Sequence, residues 1–121
     1  MAEDTLAGLT EAVRVFARER NWEQFHSPKN LAMALCGEVG ELVAEFQWLS
    51  EAESKSLPQD KLAAIRDEVA DVLLYLVNLS LRLGVDPVEC ATRKLAQNAL
   101  RYPVRTAYGS SEKYKELGTE E

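Results

Sequence analysis

The sequence predicts an all-α protein, a four-helix-bundle-like domain of four main helices with room for a short fifth. Three observations carry this. Apolar residues recur at steps of three and four in four successive stretches, the helical period. Recognisable start and stop residues bound those stretches. No segment alternates apolar and polar residues long enough for a useful strand, and no internal repeat is present.

The first stretch, Thr5 to about Arg20, places Leu6, Leu9, Val13, Phe16 and Ala17 on one stripe. NWEQFHSPKN follows, a loop by its Asn and Pro content that also holds Trp22, Phe25 and His26. The aromatics can plug the end of the bundle or form a stacking wall for a flat ligand. Ser27-Pro28 is a helix start, an N-cap followed by proline in the first turn. The second helix is expected to run to about Trp48, with Lys29 in its first turn. Ser50 to Asp60 reads as a polar loop. Pro58 opens a third helix that stops at Gly84, a C-terminal signal. Asp86-Pro87 starts the fourth, with Glu89 three residues later as in a capping box. Its expected buried face is Val88, Ala91, Leu95 and Ala99, while Lys94, Asn98 and Arg101 share another face. Tyr102-Pro103 ends it, and the polar remainder reads as a partly ordered tail or a segment lying on a neighbouring subunit.

A chain of 121 residues can bury one core. Its net charge of −6 and lack of a basic run argue against a general nucleic-acid binder. Cys36 and Cys90 have no metal-ligand spacing and are expected as small buried hydrophobes. The acidic start MAEDTLAGL is unlike a signal peptide, and the apolar part of the third helix is short and interrupted for a bilayer span. The expectation is a soluble cytoplasmic protein with no membrane partner.

Two stretches carry acid where an apolar seam should continue. In CGEVGELVAEFQW, with Glu38 set at zero, Leu31 and Leu49 fall about 20° away and Leu42 about 40° away. Glu41 and Glu45 lie within about 60° on the other side. In VADVLLYLVNLSLRL, apolar almost all round and therefore expected to be buried, one polar stripe runs through Glu68, Asp71, Tyr75, Asn78 and Arg82. Carboxylates three and four apart repel, and burying them unpaired is costly. If the two helices pack together, Glu38, Glu41, Glu68 and Asp71 converge, a hard-oxygen set suited to Mg²⁺ or Mn²⁺. A di-iron carboxylate bundle would need a Glu-x-x-His pair on each of two helices, and the one histidine allows a single such pair, Glu23 to His26, in the predicted loop. A non-enzymatic helical module, its acidic seam pairing with a partner's cations, is the alternative from another class.

CGEVGELVAEFQW followed by RDEVADVLLYLVNL resembles the paired E-x-x-E and E-x-x-D motifs of the MazG-type all-α nucleoside triphosphate pyrophosphatases. WEQFHSPKNLAMALCGEVGELVAEFQWLS and KLAQNALRYP resemble the dCTP pyrophosphatase branch in particular. The likeness spans about Val13 to Tyr102. It implies a MazG-like domain over 1–104 and a polar tail over 105–121. It implies hydrolysis of dCTP, modified dCTP or a broader set of nucleoside triphosphates between the α and β phosphates by an activated water, a nucleotide-pool house-cleaning activity. It further implies Mg²⁺, with Mn²⁺ as a substitute, on Glu38, Glu41, Glu68 and Asp71, and Glu45 beside the cluster holding a metal or orienting water. Trp22, His26 and Trp48 would line the base pocket, with Tyr75 and Asn98 near sugar or base. Lys29, Lys94, Arg101 and Tyr102 would contact phosphates, some from a neighbouring subunit of a homodimer or a homotetramer built as a dimer of dimers. Gly37 stands where many MazG domains carry a further glutamate, which fits the dCTP-type branch.

Overall fold

The computed structural model describes residues 4–113, so residues 114–121 of the predicted tail lie outside the described residues. The described residues are helical with no strand, in an all-α architecture. The four long helices are α1 (Leu6–Glu19), α2 (Pro28–Ala44), α4 (Gln59–Leu83) and α5 (Pro87–Arg101). One-turn helices α3 (Glu51–Ser54) and α6 (Val104–Ala107) and a 3₁₀ turn at Glu23–Phe25 lie between and after them. The expected four helices are present, and the short extra pieces number more than the one allowed for.

Local chemistry explains most boundaries. Thr5 and Ser27 cap α1 and α2 by accepting from the amides of Gly8 and Asn30 at 3.0 and 3.1 Å. Both α1 and α4 end in the same hydrogen-bond pattern: Trp22 N donates to Ala17 O and Asn21 N to Arg18 O, Val85 N to Ser80 O and Gly84 N to Leu81 O. The residue at the bend needs positive φ, and Asn21 (53°) and Gly84 (66°) are residue types that tolerate it. Asp86 caps α5 through the amides of Val88 and Glu89, but Glu89 turns outward to Arg93 at 2.7 Å instead of closing a capping box.

The second helix stops earlier than its apolar spacing predicts. After Ala44 the bonds tighten to Glu45 N→Leu42 O and Phe46 N→Val43 O, and 45–48 form turns. The expected loop at Ser50 instead opens α3 with a full capping box, Ser50 and Glu53 each accepting from the other's amide. Ser50 at φ −74°, ψ 166° is extended, so the chain has to leave the α2 helix before reaching it.

The chain divides into two compact units, residues 1–85 and 86–121. In the first, α4 packs against both α2 and α1. Its core is Ala17, Leu31, Ile65 and Val77. In the second, Val88, Ala91, Leu95 and Ala99, expected to be buried, are exposed in the single chain. The same is true of Val69, Leu73, Leu74 and Leu76 on α4, whose all-round apolarity predicted burial. Hydrophobicity reports what a surface would bury, and within its unit α4 packs mainly against α1 and α2, which leaves part of its apolar surface uncovered. Cys36 and Cys90 are likewise exposed rather than buried.

Candidate active site

Glu38 and Glu41 are one turn apart on α2, and Glu68 faces them from α4. One carboxylate oxygen from each lies within 4.8 Å of the other two. Leu31, two turns before Glu38 on the same helix and only 2% exposed, holds this part of α2 in the core. Glu38 Oε2 and Glu68 Oε2 are shielded from solvent and have no hydrogen-bond partner. Removal from water pushes both groups above the usual carboxylate range, and neighbouring negative charge adds to it: Glu41 and Asp71 act on Glu38, and Glu41, Asp71 and Glu38 act on Glu68. Asp71, one turn along α4 from Glu68, stands outside the tight group of three but contributes to its field and lines the cavity described below.

Two orphaned carboxylate oxygens within a hard-oxygen cluster are what a divalent cation would satisfy. The residues present therefore fit Mg²⁺ or Mn²⁺, and no soft ligand belongs to the group.

Glu45 has a cation supplied by the protein itself. Lys61 Nζ lies 2.8 Å from its Oε2, both side chains being about two-thirds or more shielded. The pair ties the end of α2 to the first turn of α4. Lys61 carries no periodic signal in the sequence, so only the fold reveals it.

Beside Asp71 opens a cavity of about 370 Å³, within the usual range for small-molecule sites. α1 supplies an apolar wall through Leu9, Val13 and Phe16, and Trp22 closes one side. Trp22 meets Phe16 edge-on, with ring centroids 5.7 Å apart at 74°, so its plane is fixed by packing. The polar wall is Asp71, Tyr75 and Asn78 of α4 with His26 of the loop. Asn78 Nδ2 lies 3.2 Å from His26 Nδ1. Partial burial, then the charge of Arg82, holds His26 below its ordinary pKa, with Glu23 opposing. The loop is further fastened by Arg82 to Glu23 at 3.7 Å and by Asn30 Nδ2 donating to Phe25 O at 3.1 Å.

The expected site residues thus separate into groups. Glu38, Glu41 and Glu68 come together, and Asp71, Tyr75, Trp22 and His26 line the adjoining cavity. Lys29 is exposed at the start of α2. Trp48 is 87% exposed and does not line the cavity of its own chain. Lys94, Asn98, Arg101 and Tyr102 belong to the second unit, where Lys94 Nζ donates to Gln97 at 3.2 Å and Asn98 is half-buried. Asn78 was visible as one step of the α4 stripe but had no partner until the fold brought His26 to it. The α1 wall was legible only as an ordinary buried stripe.

A MazG-like family model matches residues 34–117. The chain belongs to the MazG-like family. dCTP pyrophosphatase 1 of Mus musculus is 45% identical over 117 residues, covering 95% of this chain and 69% of the relative. The Homo sapiens protein of the same name is 45% identical over 118 residues, with coverage of 95% and 69%. A crystal structure of a pyrophosphatase from Archaeoglobus fulgidus superposes with a TM-score of 0.77 at 34% identity, covering 85% of this chain and 96% of that one. This MazG-like chain is a nucleoside triphosphate pyrophosphohydrolase by these relationships. Among the described residues no helix is long and apolar enough to cross a membrane.

Proposed function

We propose that the protein hydrolyses dCTP, or a modified dCTP, between the α and β phosphates to the monophosphate and pyrophosphate. The observation that carries this reading is the three-carboxylate cluster, with two unpartnered oxygens, adjoining through Asp71 a cavity of about 370 Å³ lined by aromatic side chains. Similarity to relatives named dCTP pyrophosphatase 1 supports a cytosine nucleotide as the substrate.

Glu38, Glu41 and Glu68 would hold Mg²⁺, with Asp71 completing the set. When bound, the ion neutralises phosphate oxygens whose charge otherwise repels an attacking water. Trp22 gives the base a flat face, and Tyr75 and His26 offer polar contacts at its edge. A carboxylate oxygen of the cluster not engaged by the ion would orient the water and take its proton as the water oxygen bonds to the α phosphorus, while the pyrophosphate departs with the electron pair of the broken anhydride bond. Glu45 serves indirectly, since its bond to Lys61 keeps α2 seated on α4. Lys29, Lys94, Asn98, Arg101 and Tyr102 are assigned to phosphate, sugar or base contacts, and Trp48 to the base pocket.

The proposal includes a homodimer or a dimer of dimers. Its support is the apolar surface left open in one chain: Trp48 at 87%, Leu100 at 84% and Leu95 at 71% exposed, with the half-open α4 face. Trp48 and the cationic residues of α5 would then reach a neighbouring subunit's site. The decisive experiment measures pyrophosphate release from a panel of nucleoside triphosphates, with Mg²⁺ and with chelator, beside a sizing measurement. Metal-dependent turnover with dCTP foremost is expected. No turnover with any nucleotide would favour the helical interaction module.

A further inference from the structure

The loop before α2 is fastened to α4 by two contacts of different kinds. Arg82 and Glu23 form a partly exposed ion pair. Asn78 and His26, 52 positions apart, meet in a part-buried contact, and both side chains line the aromatic cavity. An amide nitrogen has only protons to offer, so the ring nitrogen facing it must supply a lone pair. The single proton of a neutral imidazole then sits on Nε2. That nitrogen has no protein partner among the described residues, which leaves its N–H for whatever occupies the cavity. The neutral form is favoured because the ring is partly removed from water with the Arg82 guanidinium nearby.

We propose that Asn78 is a positioning residue that locks His26 as its Nε2–H tautomer, so that the cavity presents a donor and selects a nucleobase with an acceptor at the ring nitrogen N3. This rests on the cavity's being the base pocket. Cytosine carries a lone pair at N3, whereas uracil and thymine carry a proton there. Set against the imidazole N–H, those two bases would bring two donors face to face in a desolvated wall, each without an acceptor. Sites that hydrogen-bond a substrate discriminate in this way far better than sites that only fit its shape.

The chain has one histidine, so its ring signals need no disentangling. Long-range proton–nitrogen spectra of the intact protein, recorded where the ring is neutral, report which nitrogen is protonated. The wild type is expected to show Nε2–H. Asn78→Asp replaces the donor with an acceptor, and the proton is expected to move to Nδ1. With Mg²⁺ present, Asn78→Asp and Asn78→Leu are each expected to reduce the preference for dCTP over dUTP in kcat/KM by about tenfold, the worth of one hydrogen bond, chiefly through KM for dCTP. A wild-type ring protonated at Nδ1, or both variants keeping the wild-type dCTP-to-dUTP ratio, would overturn the proposal while leaving the pyrophosphatase reading intact. Absence of turnover with every nucleotide would instead overturn that reading and base selection with it, and the spectra would still decide the tautomer.

Discussion

Replacing Glu41 by glutamine tests the acidic cluster most directly, because Glu41 is its most exposed member and lies against both shielded ones. Three carboxylates make three repelling pairs, and the substitution removes the two that involve Glu41. The new amide also brings a donor within reach of an oxygen that has no partner, Glu38 Oε2 or Glu68 Oε2. Without metal the variant should therefore melt at or above the wild type. With metal the order reverses. An ion present at about ten times its dissociation constant stabilises the native state by RT ln 11, about 1.4 kcal/mol. For a domain of this size that is roughly 4–6 °C in Tm. If losing one ligand weakens binding tenfold, the same Mg²⁺ concentration gives RT ln 2, about 0.4 kcal/mol, and the shift shrinks to roughly 1–2 °C. Turnover should fall by about 10²–10³-fold, the order seen when one preorganised electrostatic group is removed. Thermal melts by circular dichroism with chelator and with Mg²⁺, beside pyrophosphate release, measure all three. A variant clearly less stable than wild type in chelator, or one that keeps the full Mg²⁺ shift and full turnover, would refute the reasoning.

Other expectations follow from the same structure. Leu31→Ala, at a position 2% exposed where α2 meets the core, should cost about 3 kcal/mol in urea unfolding, and a loss under about 1 kcal/mol would show that α2 is not anchored there. Trp48→Ala, at a side chain 87% exposed in the single chain, should raise KM more than it lowers kcat, because stacking binds ground and transition states alike; an unchanged KM removes Trp48 from the pocket. His26, held below its ordinary pKa, stays neutral in the folded chain while the unfolded chain takes up a proton as pH falls through about 6.5. Its contribution is thus present above that pH, is lost as pH falls toward the folded pKa, and then levels off. The difference in Tm between wild type and His26→Gln should narrow or reverse from pH 7.5 to 5.5, and a pH-independent difference would contradict the shift. Glu38 and Glu68, with raised pKa values, act in the opposite sense, so the difference between the two proteins is the quantity to follow.

Much of the molecule could be read along the chain because the physics involved is local. Ser27-Pro28, Gly84 and Asp86-Pro87 mark helix ends through bonds spanning only a few residues. The spacing of Glu38 with Glu41, and of Glu68 with Asp71, puts each pair on one face whatever packs against it. Where local signals compete, the reading fails. The apolar run through Trp48 favours continuing α2, but the Ser50–Glu53 capping box and the tightening turns after Ala44 end it.

The sequence alone determined the all-α class, the long helices and the two acid pairs, since periodicity and capping are properties of short stretches of chain. Only the tertiary structure decided that Glu68 closes on Glu38 and Glu41, that Lys61 answers Glu45, and that Asn78 meets His26 across 52 residues. Those contacts depend on how α4 is placed against α2 and the loop, a packing choice summed over many side chains. Exposure of the cysteines and of the α4 face belongs with them, because hydrophobicity is written in each residue while burial depends on what lies opposite.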